Sequence, residues 1–327
     1  PITIEKEHNY HHGVLKSEAF IVSKASETAE EVMVECRYYA NAGNDAVFRD
    51  FPHEFKCKIT YWLSADGLEQ EVMFSNRSKL RMPVGVGFHT PLSIPFAGGD
   101  AADYVMRVAV GEQVELNERN LPTGRKLPLS EQFAKLREGG LRVTECDPIE
   151  AGFTLKEIDV NGKSFRGALV ENVRTGARIF YEVDSQTTYW TIWNNGGRVP
   201  YCCPEPQSWT TNAPNLPNPS AEGFRTIAPG ESCAWCSGST RNRLKKGDRL
   251  PIPFFVSEMF VENRFVQRLA LRVVTVGIGR GAVAVADEQD VHGLHVRGQR
   301  ELLAHGLGLE HADPQRVEPQ RRGAEHH

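Results

Sequence analysis

The 327-residue chain carries a formal net charge of −4, with 40% hydrophobic and 9% aromatic residues. That balance supports a sizeable core and excludes the basic face that non-specific nucleic-acid binding requires. No apolar run reaches the length of a membrane-spanning helix. Seven cysteines, odd in number and irregularly spaced, predict reduced thiols in a cytoplasmic protein. Cys233 and Cys236 form a C-x-x-C, which reads as incidental because no second pair follows it.

The chain opens at Pro1 inside a strand-like stretch, so an earlier start is expected. His8, His11 and His12 form a group near the start of the chain that, taken alone, reads more readily as solvated than as ligand-binding. Short strands follow in AFIVSKA (19–25) and EVMVECRYYAN (31–41), closed by the turn NAGND. In EFKCKITYWL (54–63), Phe55, Cys57, Ile59 and Tyr61 alternate with Lys56, Lys58 and Thr60, the period of a half-buried strand. Asp66-Gly67 turns the chain back into LEQEVMFSN (68–76). VGVGFHTPLSIPF (84–96) reads as an apolar strand with His89 at its end. Its Gly85 and Gly87 predict a groove where a ligand approaches the backbone. YVMRVAV (104–110) and VTECDP (143–148) read as strands on either side of one helix, SEQFAKLREGG (130–140), with Ser130 as N-cap and Gly139 as stop. FRGALVENV (165–173), RIFYEVD (178–184) and TYWTIWNN (188–195) complete the series. Many short strands with almost no helix predict an all-β fold, a large antiparallel β-sandwich.

Between 199 and 232 one acid, Glu205, lies between Pro204 and Pro206. The two prolines fix φ and remove two donors, which predicts a stiff carboxylate where a strand enters a loop, not mid-sheet. The Asn- and Pro-rich run that follows predicts an ordered turn region. Past Cys236 the character changes: residues 247–327 contain ten Arg and six of the eleven His, but no Lys, Trp, Tyr or Cys. The division expected is a domain at 1–236 and an atypical tail at 237–327, frameshifted or foreign in composition and not packed.

No serine-nucleophile motif, phosphate loop, dinucleotide fingerprint or zinc-ligand spacing is present. What remains is Glu205 with His89, a pairing suited to proton transfer that needs neither metal nor cofactor. Trp193 and Trp209 offer flat apolar platforms for a sugar ring. Arg81, Arg125 and Arg225 form no cluster in sequence of the kind a phosphate requires.

The segments HHG (11–13), FPHEFKCKITYWLSADGL (51–68), GFHTPLSIPF (87–96), LPTG (121–124), CPEPQSWTTNAPNL (203–216) and GFRTIAPGES (223–232), in this order and spacing, resemble the aldose 1-epimerases, or galactose mutarotases. The resemblance implies a galactose mutarotase-like β-supersandwich that interconverts the α and β anomers of free aldoses. It implies Glu205 as general base, His89 as general acid and His12 as a sugar-binding residue. It also implies that the family's first strands precede this chain. In place of the family's acidic D-x-x-[FY]-T contact, IEAGFTLKEI offers Glu150. In place of the strand after PGES stands CAWCSGSTRNRL, read as a replacement of that strand. Two other readings fit the same sandwich: a non-catalytic carbohydrate-binding homologue, and an epimerase of phosphorylated hexoses. The sequence does not specify the oligomeric state.

Overall fold

The computed structural model describes residues 12–16, 18–43, 46–145, 150–194 and 201–241, without the side chains of 150, 240 and 241. All of them lie in the first of two units into which the chain divides, Pro1–Gly277. The second unit, Ile278–His327, falls outside the described residues, as do His8, His11, Cys146 and the whole tail from 242.

In chain order the elements are β1 (Ile21–Glu27), β2 (Glu31–Ala40), a short helix α1 (Ala46–Asp50), β3 (Phe55–Ser64), β4 (Gly67–Asn76), β5 (Met82–Pro83) and β6 (Leu92–Ser93). Next come β7 (Tyr104–Val108), β8 (Val110–Leu116), β9 (Pro122–Leu127), helix α2 (Glu131–Ala134), β10 (Leu141–Arg142), β11 (Glu150–Leu155), β12 (Ile158–Val160) and β13 (Lys163–Phe165). The series closes with β14 (Gly167–Asn172), β15 (Arg178–Val183), β16 (Tyr189–Trp193), β17 (Tyr201–Gln207), β18 (Thr226–Ile227) and β19 (Ser232–Arg241).

Two antiparallel sheets dominate. A nine-stranded sheet runs β1-β2-β3-β4-β19-β15-β14-β7-β10, and a six-stranded sheet runs β6-β17-β16-β11-β8-β9. The β3–β4 hairpin has the Asp66-Gly67 turn that its sequence predicts, and pairs in one register from Phe55↔Asn76 to Leu63↔Leu68.

Alternation decides what each sheet buries. Met106, Val108, Ala168, Val170 and Tyr181 of the larger sheet pack against Ala151, Phe153, Trp190, Ile192 and Cys202 of the smaller one. Each buried Met, Val, Ile or Phe among them contributes about 1.5–3 kcal/mol. A second core joins Val34, Cys36, Phe55, Cys57, Ile59, Val72 and Trp235 to Met82, Val84 and Phe88 of a covering segment. Residues 189, 191, 193, 203, 205 and 207 lie on the face of the six-stranded sheet opposite its core, where 191, 193, 205 and 207 are partly exposed and Tyr189 and Cys203 are covered.

Several expectations change. The 84–96 stretch is not a continuous strand: it makes one bridge, Gly87↔Gln207, and the two-residue β6. VTECDP begins as a 3-10 turn, Val143–Glu145, after β10. The helix is shorter than its pattern, although Ser130 Oγ accepts from Phe133 N at 3.2 Å and Gly139 turns left-handed at φ 83°. The strand read as replaced after PGES is present. β19 pairs with β4 from Ser232↔Ser75 to Thr240↔Gly67 and with β15 from Val183 to Ile179, in the middle of the larger sheet. It also runs past the boundary expected at 236. Cys233 and Cys236, three apart on this strand, point to opposite faces, so they do not form a chelating pair.

Candidate active site

Glu205 sits inside β17, not where a strand enters a loop. The prolines are tolerated because of what lies beside them. Segment 86–93 runs antiparallel to β17, anchored at Gly87↔Gln207 at one end and at Leu92↔Cys202 and Ser93↔Tyr201 at the other. Phe88 N donates to Pro206 O at 3.0 Å, and Pro206 has no N–H to return. By alternation Pro204 faces the same side. The missing donors fall where the ladder lapses, while β16 pairs fully along the other side, Tyr189↔Gln207 to Trp193↔Cys203.

Both anchors keep one register, which sets His89 opposite Glu205. Because Phe88 and Pro206 are the hydrogen-bonded neighbours, His89 and Glu205 form a non-hydrogen-bonded pair, whose side chains stand closer together. His89 Nε2 lies 3.1 Å from Glu205 Oε1, with side-chain exposures of 20% and 13%. On the other side of the ring, Nδ1 lies 3.3 Å from Sγ of Cys203, which is fully buried. These His, Cys and Glu donor atoms lie within 4.8 Å of one another and could ligate a zinc-type ion.

Two further rings meet His89 edge-on: His12 at 5.3 Å between centroids and 82°, and Trp193 at 5.3 Å and 70°. His12 is exposed and takes a left-handed φ of 64°, followed by Gly13 at 72°. A non-glycine residue held at such a φ beside polar side chains is common at functional sites. Trp193 also packs against Tyr201 at 5.6 Å. Glu150 is opposite Trp193 by backbone register, and its side chain falls outside the described residues.

Trp209 is placed differently. Its indole stacks on Phe224 at 5.3 Å and lies over Gly85, where an added Cβ would meet indole carbons at 2.2–2.5 Å. The groove expected at Gly85 is thus filled by the protein's own Trp209. Gly223, left-handed at φ 84°, lets the Pro-rich segment close over this point, since a Cβ there would lie 2.6 Å from Ser208 O.

Beside the pair, a shallow depression lies over the same sheet face, lined in part by Asn120, Gly152, Tyr189, Thr191, Gln207 and Thr210. Thr191 is the cross-strand partner of Glu205 and accepts a hydrogen bond from Gln207 Nε2 at 3.0 Å. Near Tyr189, the buried Glu222 accepts from Lys126 Nζ at 2.6 Å and from the Tyr189 hydroxyl at 2.8 Å. Burial and the Glu222 charge hold the Tyr189 phenol above its ordinary range. Behind the sheet Tyr181 is pushed up to about 12, chiefly by burial, with Cys203 and Glu205 adding to the effect.

The three arginines do not converge on this face. Arg81 donates to Thr226, Arg125 pairs with Glu115 at 3.6 Å, and Arg225 donates to Gln186 and lies over the Trp235 ring. Cys203, Thr191 and Gln207 were not singled out from the sequence. Reading 201–207 as a strand finds Cys203 and Gln207, because 203, 205 and 207 share a face, whereas Thr191 follows only from the pairing of β16 with β17.

Fold and site together define a two-sheet all-β protein bearing a carboxylate–imidazole pair on an open sheet face. The family model described as aldose 1-epimerase matches residues 1–236. A galactose mutarotase-like protein from Clostridium acetobutylicum is 34% identical, with a TM-score of 0.71 over 75% of this chain and 72% of that one. A Synechocystis sp. PCC 6803 protein shares the fold at 20% identity and a TM-score of 0.50, over 68% of this chain and 65% of that one. The chain belongs to the aldose 1-epimerase family.

Proposed function

We propose that the protein interconverts the α and β anomers of an unphosphorylated aldose such as glucose or galactose. Glu205 is the base, His89 the acid, and His12 and Trp193 are walls of the sugar site. The observation that carries this reading is the 3.1 Å contact between His89 Nε2 and Glu205 Oε1 on the sheet face opposite the core.

The chemistry asks for adjacency. The anomeric hydroxyl and the ring oxygen are bonded to the same carbon, so the group that takes a proton from one and the group that protonates the other must stand side by side. On sugar binding each turns from its partner to its own oxygen. Glu205 removes the hydroxyl proton as protonated His89 gives its Nε2 proton to the ring oxygen. The bond from C1 to the ring oxygen breaks and C1 becomes an aldehyde carbon. Rotation about C1–C2 presents the other face, and the ring closes with the two roles reversed. Each proton-transfer group is worth about 10²–10⁴-fold.

A glycosidase needs two carboxylates roughly 5–10 Å apart, whereas here the carboxylate is paired with an imidazole. The lining of the adjoining depression is uncharged and mixes hydroxyl and amide side chains with apolar ones such as Leu116 and Trp190, which suits the hydroxyls and C–H faces of a sugar. The engagement of Arg81, Arg125 and Arg225 elsewhere argues against a phosphorylated substrate.

Polarimetry on freshly dissolved α-glucose and α-galactose, with and without protein, tests the reading. Equilibration faster than in buffer is expected. Sugar binding without acceleration would make the protein a carbohydrate-binding homologue instead. Preference for hexose phosphates would overturn the substrate assignment.

A further inference from the structure

We propose that Cys203 is a positioning residue for His89: a hydrogen-bond partner that reverses direction at Nδ1 and so keeps Nε2 the proton-bearing nitrogen. The kinetic part of this inference rests on the acid–base reading above; the hydrogen-bonding part stands on geometry alone.

With Nε2 at 3.1 Å from Glu205 Oε1, a bare Nε2 would set two acceptors against each other whenever the carboxylate is ionised. The contact with Glu205 thus favours a proton on Nε2 in the resting pair, and that preference holds in both ring states only if Nδ1 has a suitable partner in each. The consequence falls on Nδ1, which must accept a hydrogen bond in the neutral ring and donate one in the cation. A backbone carbonyl, a common partner for a functional histidine, only accepts. It would hold the neutral ring as the Nδ1–H tautomer and leave Nε2 bare. A thiol can do both, with sulfur lone pairs for Nδ1–H and an S–H for a bare Nδ1. Sγ of Cys203 stands 3.3 Å from Nδ1.

The backbone holds Cys203 in that position. It is two residues before Glu205 on the same face of β17 and is paired on its other side with Trp193, whose ring meets His89 edge-on. At 0% exposure it is closed to sugar and to solution reagents, so it serves neither as a nucleophile nor as a redox centre. After His89 gives up its Nε2 proton, Nδ1–H stays bonded to sulfur. The ring keeps its orientation and Nε2 takes the proton back on reclosure.

¹⁵N NMR of histidine-labelled protein tests this, with the His89 signals assigned by their loss in His89→Gln. In the wild type, Nε2 is expected to stay protonated through the ring's titration while Nδ1 titrates and remains hydrogen-bonded. Cys203→Ser should reproduce that pattern and near-wild-type turnover. Cys203→Ala should give mixed tautomers and a kcat lower by about 10–100-fold, the scale on which metal-binding histidines lose function when their orienting partner is removed, with KM little changed. A wild-type neutral ring with Nδ1–H and bare Nε2 would overturn the proposal, as would an alanine variant with the wild-type tautomer and kcat. If the wild type fails to speed mutarotation, the acid–base reading falls, and the tautomer measurement still decides the role of Cys203.

Discussion

His89 faces Glu205 because two stretches of chain share one register on either side of a proline-interrupted ladder, fixed by Gly87↔Gln207 and Leu92↔Cys202. The prolines are therefore part of how the pair is built. Removing the donors at 204 and 206 leaves the 86–93 segment lightly tied between its anchors, and the side chains of the pair point out from a sheet face otherwise held by β16. Rigidity comes from one neighbour and openness from the other.

Gly85 is reserved for an indole. Adding a Cβ there brings it within 2.2 Å of Trp209, a ring held in place by stacking on Phe224. Gly85→Ala should lower stability by about 1–3 kcal/mol, as overpacking does. At Gly87 the same methyl would meet Gln207 Cγ at 3.4 Å, an ordinary contact, so Gly87→Ala should change the melting temperature little. Thermal melts of the two variants check the contrast; equal losses would contradict it.

The Lys126–Glu222 pair, with side-chain exposures of 18% and 10%, ties β9 to the Pro-rich segment beside the depression. Lys126→Met leaves a mostly buried carboxylate with Tyr189 but without its counter-charge, and should cost about 3–5 kcal/mol. Lys126→Met combined with Glu222→Leu should recover part of that loss. Urea unfolding of the single and double variants measures it, and a double variant no more stable than the single would contradict the account.

Alkaline stability follows from three phenols and two buried thiols. Burial, before any other cause, raises Tyr61, Tyr181 and Tyr189, with Tyr181 at about 12. A phenol that ionises at higher pH when folded binds its proton more tightly in the native state. It therefore contributes stability that is full below the unfolded value of about 10 and is lost as pH rises toward the folded one. The melting temperature should begin to fall at about pH 8.5, where the thiols of Cys36 and Cys57, also raised by burial, ionise in the unfolded chain, and fall more steeply above about pH 10, with phenolate absorbance from these tyrosines appearing as the protein unfolds. Their ionisation in the native state near the free value would contradict this.

The fold was largely legible because its signal is local. Alternation at Phe55, Cys57, Ile59 and Tyr61 and the Asp66-Gly67 turn are period-two and turn chemistry, and the β3–β4 hairpin follows them closely. Glu205, His89, His12 and Trp193 were legible as residue types in a family-like order. That three rings and a carboxylate meet was not, because their meeting depends on pairings between distant segments. Pro204 and Pro206 misled the local reading: a proline rule written for fully paired strands does not foresee a strand whose missing donors fall on its lapsed side. β19 was missed for a related reason. CAWCSGSTR has a weak alternation of its own, and it becomes a central strand through Trp235 and Ser237 packing inward between β4 and β15.

The measurement that tests the central claim most directly compares wild type and Glu205→Gln by the rate at which α-galactose equilibrates and by sugar binding. Glutamine keeps the shape and can still bond to the sugar, but it cannot take the anomeric proton. The account predicts a kcat lower by about 10²–10⁴-fold with binding nearly unchanged, and no further large loss when His89→Gln is added, since the two groups act as a unit. A Glu205→Gln variant that turns over like the wild type would contradict it.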